Sequence, residues 1–286
     1  MPTRTPVFQP VILLDGDRTA ADKIAERMVY AMHREIVDTM NTERSAQREI
    51  GLSEFGTACL KCLARKLSLL FDIDDPSWKA QVGTFVHAGI EDHLRRRYPS
   101  MVDPTPDQEA RAAAHETATR YLREVDPDVV IHLEETVRLP LPDGGSIPGH
   151  CDLYIEGRDY GIVWDHKILG ASSLAQKAKG KLGEDYDHQL DGYGLGWELL
   201  GKPVTHVALG ALPRDGHIND AAFVLRRYNR QRVIDRLALI ADLRATAALV
   251  GWERTIEAQP RSSEKCWDCE RFERAEEHSF FAGFTQ

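Results

Sequence analysis

The sequence predicts an α/β chain of the α+β kind: one central mixed β-sheet flanked by helices. Three observations predict it. Three strand-like segments follow one another between residues 129 and 168, separated by short turn signals. A helical segment then precedes two further strand-like segments, an order that argues for one sheet. Helical periodicity dominates the residues before and after this block.

In chain order, residues 18–47 read as a helix, with Ile24, Met28, Met32, Ile36 and Met40 at helical spacing. That stripe suits a core or an interhelix contact. A second helix is expected over 57–70. A third begins near Pro76 and Ser77 and runs through "WKAQVGTFVHAGIEDHLRRRY". After the loop "MVDPTPD", a fourth is expected over 107–124.

Strands are expected at 129–141, 146–156 and 160–168. In the second, alternation puts Ile147, Cys151, Leu153 and Ile155 on one face, and His150, Asp152, Tyr154 and Glu156 on the other. "EGRD" is a turn with a central glycine. The return strand puts Val163, Asp165 and Lys167 on one face, opposite Ile162, Trp164, His166 and Ile168. Pairing across the turn brings Asp152 towards Asp165, so two carboxylates and an ammonium share one patch.

Residues 171–183, "ASSLAQKAKGKLG", read as a mobile polar segment. A helix over 184–200 stops at Gly201, with Pro203 beyond. "VTHVALGAL" and "AAFVLRRY" are strands split by the turn "PRDGHIND", and a long helix covers 229–250. The chain divides into a helical region (1–76), a core (77–255) and a tail (256–286), folded as one composite domain.

The patch suggests chemistry. Close carboxylates raise each other's pKa unless a cation lies between them. Magnesium takes oxygen ligands and keeps several waters. A neighbouring lysine can orient or deprotonate a metal-bound water, which equips a site to attack a phosphodiester. The chain has 286 residues and a formal net charge of −9, which excludes a general polyanion binder. Nucleic-acid contact must come from local basic patches. Lys177, Lys179 and Lys181 follow the third strand, and Arg226, Arg227, Arg230, Arg232 and Arg236 lie in "RRYNRQRVIDR". No apolar run approaches the ~18 residues of a membrane span, so a cytoplasmic, intracellular protein without membrane contact is expected.

Five cysteines are present. Cys59 and Cys62 form one C-x2-C, and Cys266 and Cys269 form another about two hundred residues later. In a reducing compartment such knuckles suggest a metal before a disulfide. Four thiolates suit zinc or iron–sulfur. Cys151 is expected to be a small core residue.

In order along the chain, "GTFVHAGIEDHL", "GHCDLY", "VWDHK" and "QLDGY" resemble the motifs of the RecB-like branch of the PD-(D/E)XK nucleases. That branch includes CRISPR-associated exonucleases and AddB-type nuclease domains. The resemblance runs through most of the chain and implies a restriction-endonuclease-like core. It implies that His87, Asp152, Asp165 and the backbone carbonyl of His166 bind Mg2+ or Mn2+. Lys167 would activate water, and Gln189 and Tyr193 would contact DNA or support the site. It further implies a metal-dependent DNA exonuclease, favouring single-stranded ends, leaving a 5′-phosphate and serving recombination, repair or phage DNA processing. "CLAR" and "CWDC" resemble the elements that staple the two ends of such chains through a [4Fe–4S] cluster. The two-plus-two arrangement here departs from the family's one-plus-three, and structural zinc is the alternative. Two rival functions share these residues: a sequence-independent endonuclease, and a non-catalytic subunit that grips DNA or a partner protein.

Overall fold

Five strands form one mixed sheet in the computed structural model of the chain: β1 (Val130–Pro140), β2 (Ser146–Glu156), β3 (Gly161–Leu169), β4 (His206–Pro213) and β5 (Ala222–Arg227), in that spatial order. The structure describes residues 50–69, 78–97, 126, 128–264 and 266–273, which fall within one unit spanning residues 48–286. The helices expected at 18–47 and 107–124 lie outside the described residues.

Neighbouring strands pair antiparallel, except β3 and β4, which are parallel. A parallel pair needs a crossover. Here it consists of α4 (Ala171–Lys177) and α5 (Glu184–Leu199). Before the sheet come α1 (Leu52–Phe55), α2 (Leu60–Ser68) and α3 (Trp78–Arg97). After it come α6 (Arg230–Val250) and α7 (Trp252–Ala258), and residues 267–273 are helical.

The two faces of the sheet bury different clusters. Val137, Ile147, Cys151, Tyr154 and Val163 join the main core with Leu190 and Trp197 of α5. Ile131, Leu133, Leu153 and Ile155 form a second cluster with Leu94 of α3, Ile162 and Trp164. The alternation expected for β3 holds. In β2 it does not: Cys151 and Leu153, two residues apart, lie in different clusters, and Tyr154 is buried and stacked on Trp197 at 4.3 Å between centroids. The cause is a kink at one level of the hairpin. Glu134 has φ +52°, and the β1–β2 ladder skips from Leu133↔Leu153 to Glu135↔Cys151. A left-handed residue inside a strand turns the following side chains to the other face.

The segment 171–183 is not the polar loop expected. Leu174 and Lys177 are buried as α4 crosses back over the sheet. Lys177 Nζ donates to the carbonyls of Lys181 and Leu182 and lies 4.6 Å from the centre of the Tyr186 ring. Those bonds tie off the turn that leads into α5.

Close packing of α5 on β1 explains a glycine that helix propensity disfavours. A Cβ at Gly196 would stand 2.5 Å from Val137 Cβ. Gly196→Ala should therefore destabilise by about 1–3 kcal/mol through overpacking, although alanine is intrinsically the better helix former by about 1 kcal/mol. Urea unfolding measures the sign directly; a more stable variant would show that helix and sheet can move apart freely.

Candidate active site

The kink that redirects β2 also opens the site. Pairing of β2 with β3 ends at Leu153↔Trp164, so Asp152 stands where the ladder has stopped. Its Oδ2 accepts from the freed His166 amide at 2.6 Å and lies 3.3 Å from His87 Nδ1 of α3. Burial opposes charge on Asp152, but His87, Lys167 and the His166 amide together hold its carboxyl below the usual range. The same pairing raises His87 against its own burial.

Asp165 is buried on the α5 side of β3, as its face predicts. Lys167 Nζ lies 2.6 Å from its Oδ2, and Gln189 Nε2 donates to its Oδ1 at 3.4 Å. Burial pushes Asp165 up to about 6 despite Lys167, with Asp152 adding to the rise. Lys167 is itself desolvated, but Asp165 and Asp152 outweigh that and keep it protonated. Gln189 also donates to Tyr193 Oη at 3.2 Å, and both side chains are buried. Gln189 thus touches Asp165 from the α5 side, with Tyr193 behind it.

The His166 side chain turns towards α3, its ring 6.0 Å from that of His87. Trp164 Nε1 donates to its Nδ1 at 3.0 Å, which leaves the proton on Nε2. Burial pushes this imidazole down to about 4, so it is neutral near pH 7.

One residue here was missed by sequence reasoning. Glu134, rather than its neighbour Glu135, faces the site. Glu135 points outward and pairs with His132 at 2.8 Å. A ligand atom each from His87, Glu134 and Asp152 lie within 4.8 Å of one another. Strict alternation gave no signal for this, because the positive φ at Glu134 breaks the alternation.

The basic residues divide. Arg226 bonds Asp187 at 2.6 Å and the fully buried Asp191 at 2.8 Å, and Arg232 bonds Asp191 at 2.5 Å. Arg236 donates to the carbonyls of Phe55 and Thr57, locking α6 to the α1–α2 connection. Arg230 pairs with Glu198 at 3.0 Å. These arginines hold helices together. Lys177 is turned inward, whereas Arg227, Lys179 and Lys181 are exposed.

The cysteines converge from both ends of the described unit. Cys59 caps α2 and Cys62 sits in its first turn; Cys266 and Cys269 begin the last helical segment. Cys62 Sγ lies 3.2 Å from Cys269 Sγ and 3.8 Å from Cys266 Sγ, and Cys59 Sγ lies 3.6 Å from Cys269 Sγ. Lys61 N to Pro260 O, at 3.3 Å, and Lys66 to Asp268, at 3.4 Å, bind the two segments around them. Burial works against charge on Cys59, but amide donation from Cys62 and Ser262 brings it down to about 6. These four buried sulfurs form a site for a metal staple. Cys151 is a buried core thiol apart from them, donating to Leu153 O.

No protein-family model matches the sequence, and no curated protein matches it. Among solved structures, the SSO0001 protein is 15% identical, with a TM-score of 0.47 over 86% of this chain and 93% of that one. An alkaline exonuclease from Laribacter hongkongensis is 12% identical, with a TM-score of 0.41 over 73% of this chain and 90% of that one. A Eubacterium rectale protein described as an exonuclease is 13% identical, with a TM-score of 0.42 over 80% and 93% respectively. The functional case is carried by the side chains of the site itself. Among the described residues, no helix is long and apolar enough to cross a membrane.

Proposed function

We propose that the chain is a metal-dependent deoxyribonuclease of the RecB-like PD-(D/E)XK kind, acting as an exonuclease on single-stranded DNA ends. The observation that carries the reading is the meeting of Asp152, Asp165, Lys167 and His87 at one break in a hairpin. A binding module has no use for a half-buried lysine held 2.6 Å from the buried Asp165 carboxylate, with Asp152 and His87 beside it.

The donors fit a hard divalent cation: carboxylate oxygens and an imidazole, with Asp165 held up at about 6 by burial first and by the Asp152 charge second. His87, Asp152, Asp165 and the His166 carbonyl are the proposed holders. Bound Mg2+ or Mn2+ supplies Lewis-acid stabilisation of phosphate charge and a more acidic water. Lys167 positions the attacking water and steadies the charge that develops on the phosphate. Gln189, backed by Tyr193, keeps Asp165 in place while that happens. Water oxygen bonds to phosphorus as the bond to the 3′ oxygen breaks; the water's proton passes to solvent, the departing 3′ oxygen takes one up, and a 5′-phosphate is left. Exposed Arg227, Lys179 and Lys181 are proposed phosphate contacts, serving any sequence alike.

For the staple, three sulfur separations of 3.2–3.8 Å, with all four sulfurs within 4.8 Å of one another, support a single tetrahedral zinc, since Zn–S bonds of about 2.3 Å set thiolates about 3.8 Å apart. A four-iron cluster must fit its own atoms between the thiolates and needs them farther apart; support for it comes from the family resemblance. The proposed setting is intracellular DNA recombination, repair or phage DNA processing.

Exonuclease and endonuclease readings separate on topology. With Mg2+ or Mn2+, a labelled linear single strand should shorten progressively while a covalently closed single-stranded circle survives. Rapid linearisation of the circle would establish the endonuclease instead.

A further inference from the structure

We infer that Glu134 is a cation ligand, completing with His87 and Asp152 a three-donor site on the α3 side of the hairpin. The inference rests on the nuclease reading and adds a residue that the sequence motifs do not include. Its first support is position: the three donors lie within 4.8 Å of one another, close enough to share one ion. Asp165, proposed above as a further holder, lies on the other side of this three-donor group, with Lys167 at 2.6 Å and Gln189 at 3.4 Å. The second support is space. A cavity of about 10 Å³ is bounded by His87, Glu91, Glu134, Asp152 and His166 together with apolar Leu133 and Leu94. That is room for about one water-sized species.

The third support is backbone strain. Glu134 holds φ +52° within a strand, a region that a glutamate rarely occupies. Such strain persists where surrounding structure enforces it, and it gathers at functional sites. Here the left-handed turn brings the Glu134 carboxylate to His87 and Asp152, while Glu135 goes outward to His132. A residue kept for stability alone would relieve the strain. One kept for a ligand would not.

The two roles therefore predict opposite signs, and two Glu134 variants with a Glu135 control test them. Asparagine tolerates the left-handed conformation better than glutamate and carries no charge. In the full chain, Glu134→Asn should lower Mn2+ affinity by at least about tenfold in calorimetric titration and raise the melting temperature without added Mn2+, in chelator-free buffer, by a few degrees. Glu134→Gln should lose Mn2+ affinity alike and serves if the asparagine variant folds poorly. Glu135→Gln should bind Mn2+ as the wild type does. If either Glu134 variant binds Mn2+ with wild-type affinity while the wild type cuts DNA, the ligand assignment falls and the nuclease reading stands. If the wild type binds no Mn2+ even at millimolar concentration, both fall together.

Discussion

Asp165→Asn should lower the rate of DNA cleavage by roughly a thousandfold or more, because it removes charge at the reacting centre and not bulk from the core. The side chain is buried, and burial already pushes its carboxyl up to about 6. A neutral amide of the same shape fits that environment. Gln189 can still meet its oxygen, and Asp152 remains to balance Lys167. The melting temperature should accordingly move by only a few degrees, and DNA binding should persist. Lys167→Ala should lose comparable activity while sparing cation affinity more, since Lys167 is assigned to water and phosphate. Initial rates on end-labelled DNA beside thermal melts measure both effects. Large unfolding in Asp165→Asn, or wild-type cleavage by it, would mean the carboxylate serves packing.

Cys62→Ser should cost the fold itself. Its sulfur is fully buried and lies within 3.8 Å of two cysteines from the far end of the sequence. No preformed site exists in an unfolded chain, so metal binding free energy becomes folding free energy, on the order of 10 kcal/mol for structural zinc. The variant should express mostly insoluble, melt at least ~10 °C lower and lose activity as a consequence. Cys151→Ser, also buried, should lose much less, since Cys151 stands apart from the four-cysteine cluster and a serine hydroxyl can still donate to the Leu153 carbonyl. Metal analysis identifies the occupant: one tightly held zinc in colourless protein, or iron and sulfide in brown protein. Folded protein with neither, and four freely titratable thiols, would remove the staple.

How far the sequence was readable depended on whether local periodicity survived tertiary packing. The ends of β2 and α5 were legible to within a residue because Gly and turn signals bound them. Asp165 and Lys167 were placed on the correct face because β3 keeps its period of two. The second strand failed at one level. A left-handed Glu134 shifts the facing of β1 and β2 together, so Tyr154 goes inward and Glu134 enters the site. No pattern in a single sequence announces a left-handed glutamate.

The segment 171–183 misled for another reason. Lysines normally mark solvent, yet Lys177 is buried because carbonyls and the Tyr186 ring receive its ammonium. The arginine run misled similarly. Asp187 and Asp191 of α5, some thirty-five residues upstream, consume Arg226 and Arg232, and only the folded chain brings these partners together. The cysteine knuckles were legible because C-x2-C is local, and their meeting across about two hundred residues required only that both ends return to one place.

Release of nucleotides from single-stranded DNA by the purified chain, with Mg2+ or Mn2+ and again with EDTA, tests the site most directly when the Asp165→Asn protein is run beside it. The wild type should release nucleotides only with the cation, and the variant should release essentially none. Release in EDTA, release by Asp165→Asn at the wild-type rate, or no release by the wild type with either cation would contradict a metal-dependent nuclease built on this hairpin.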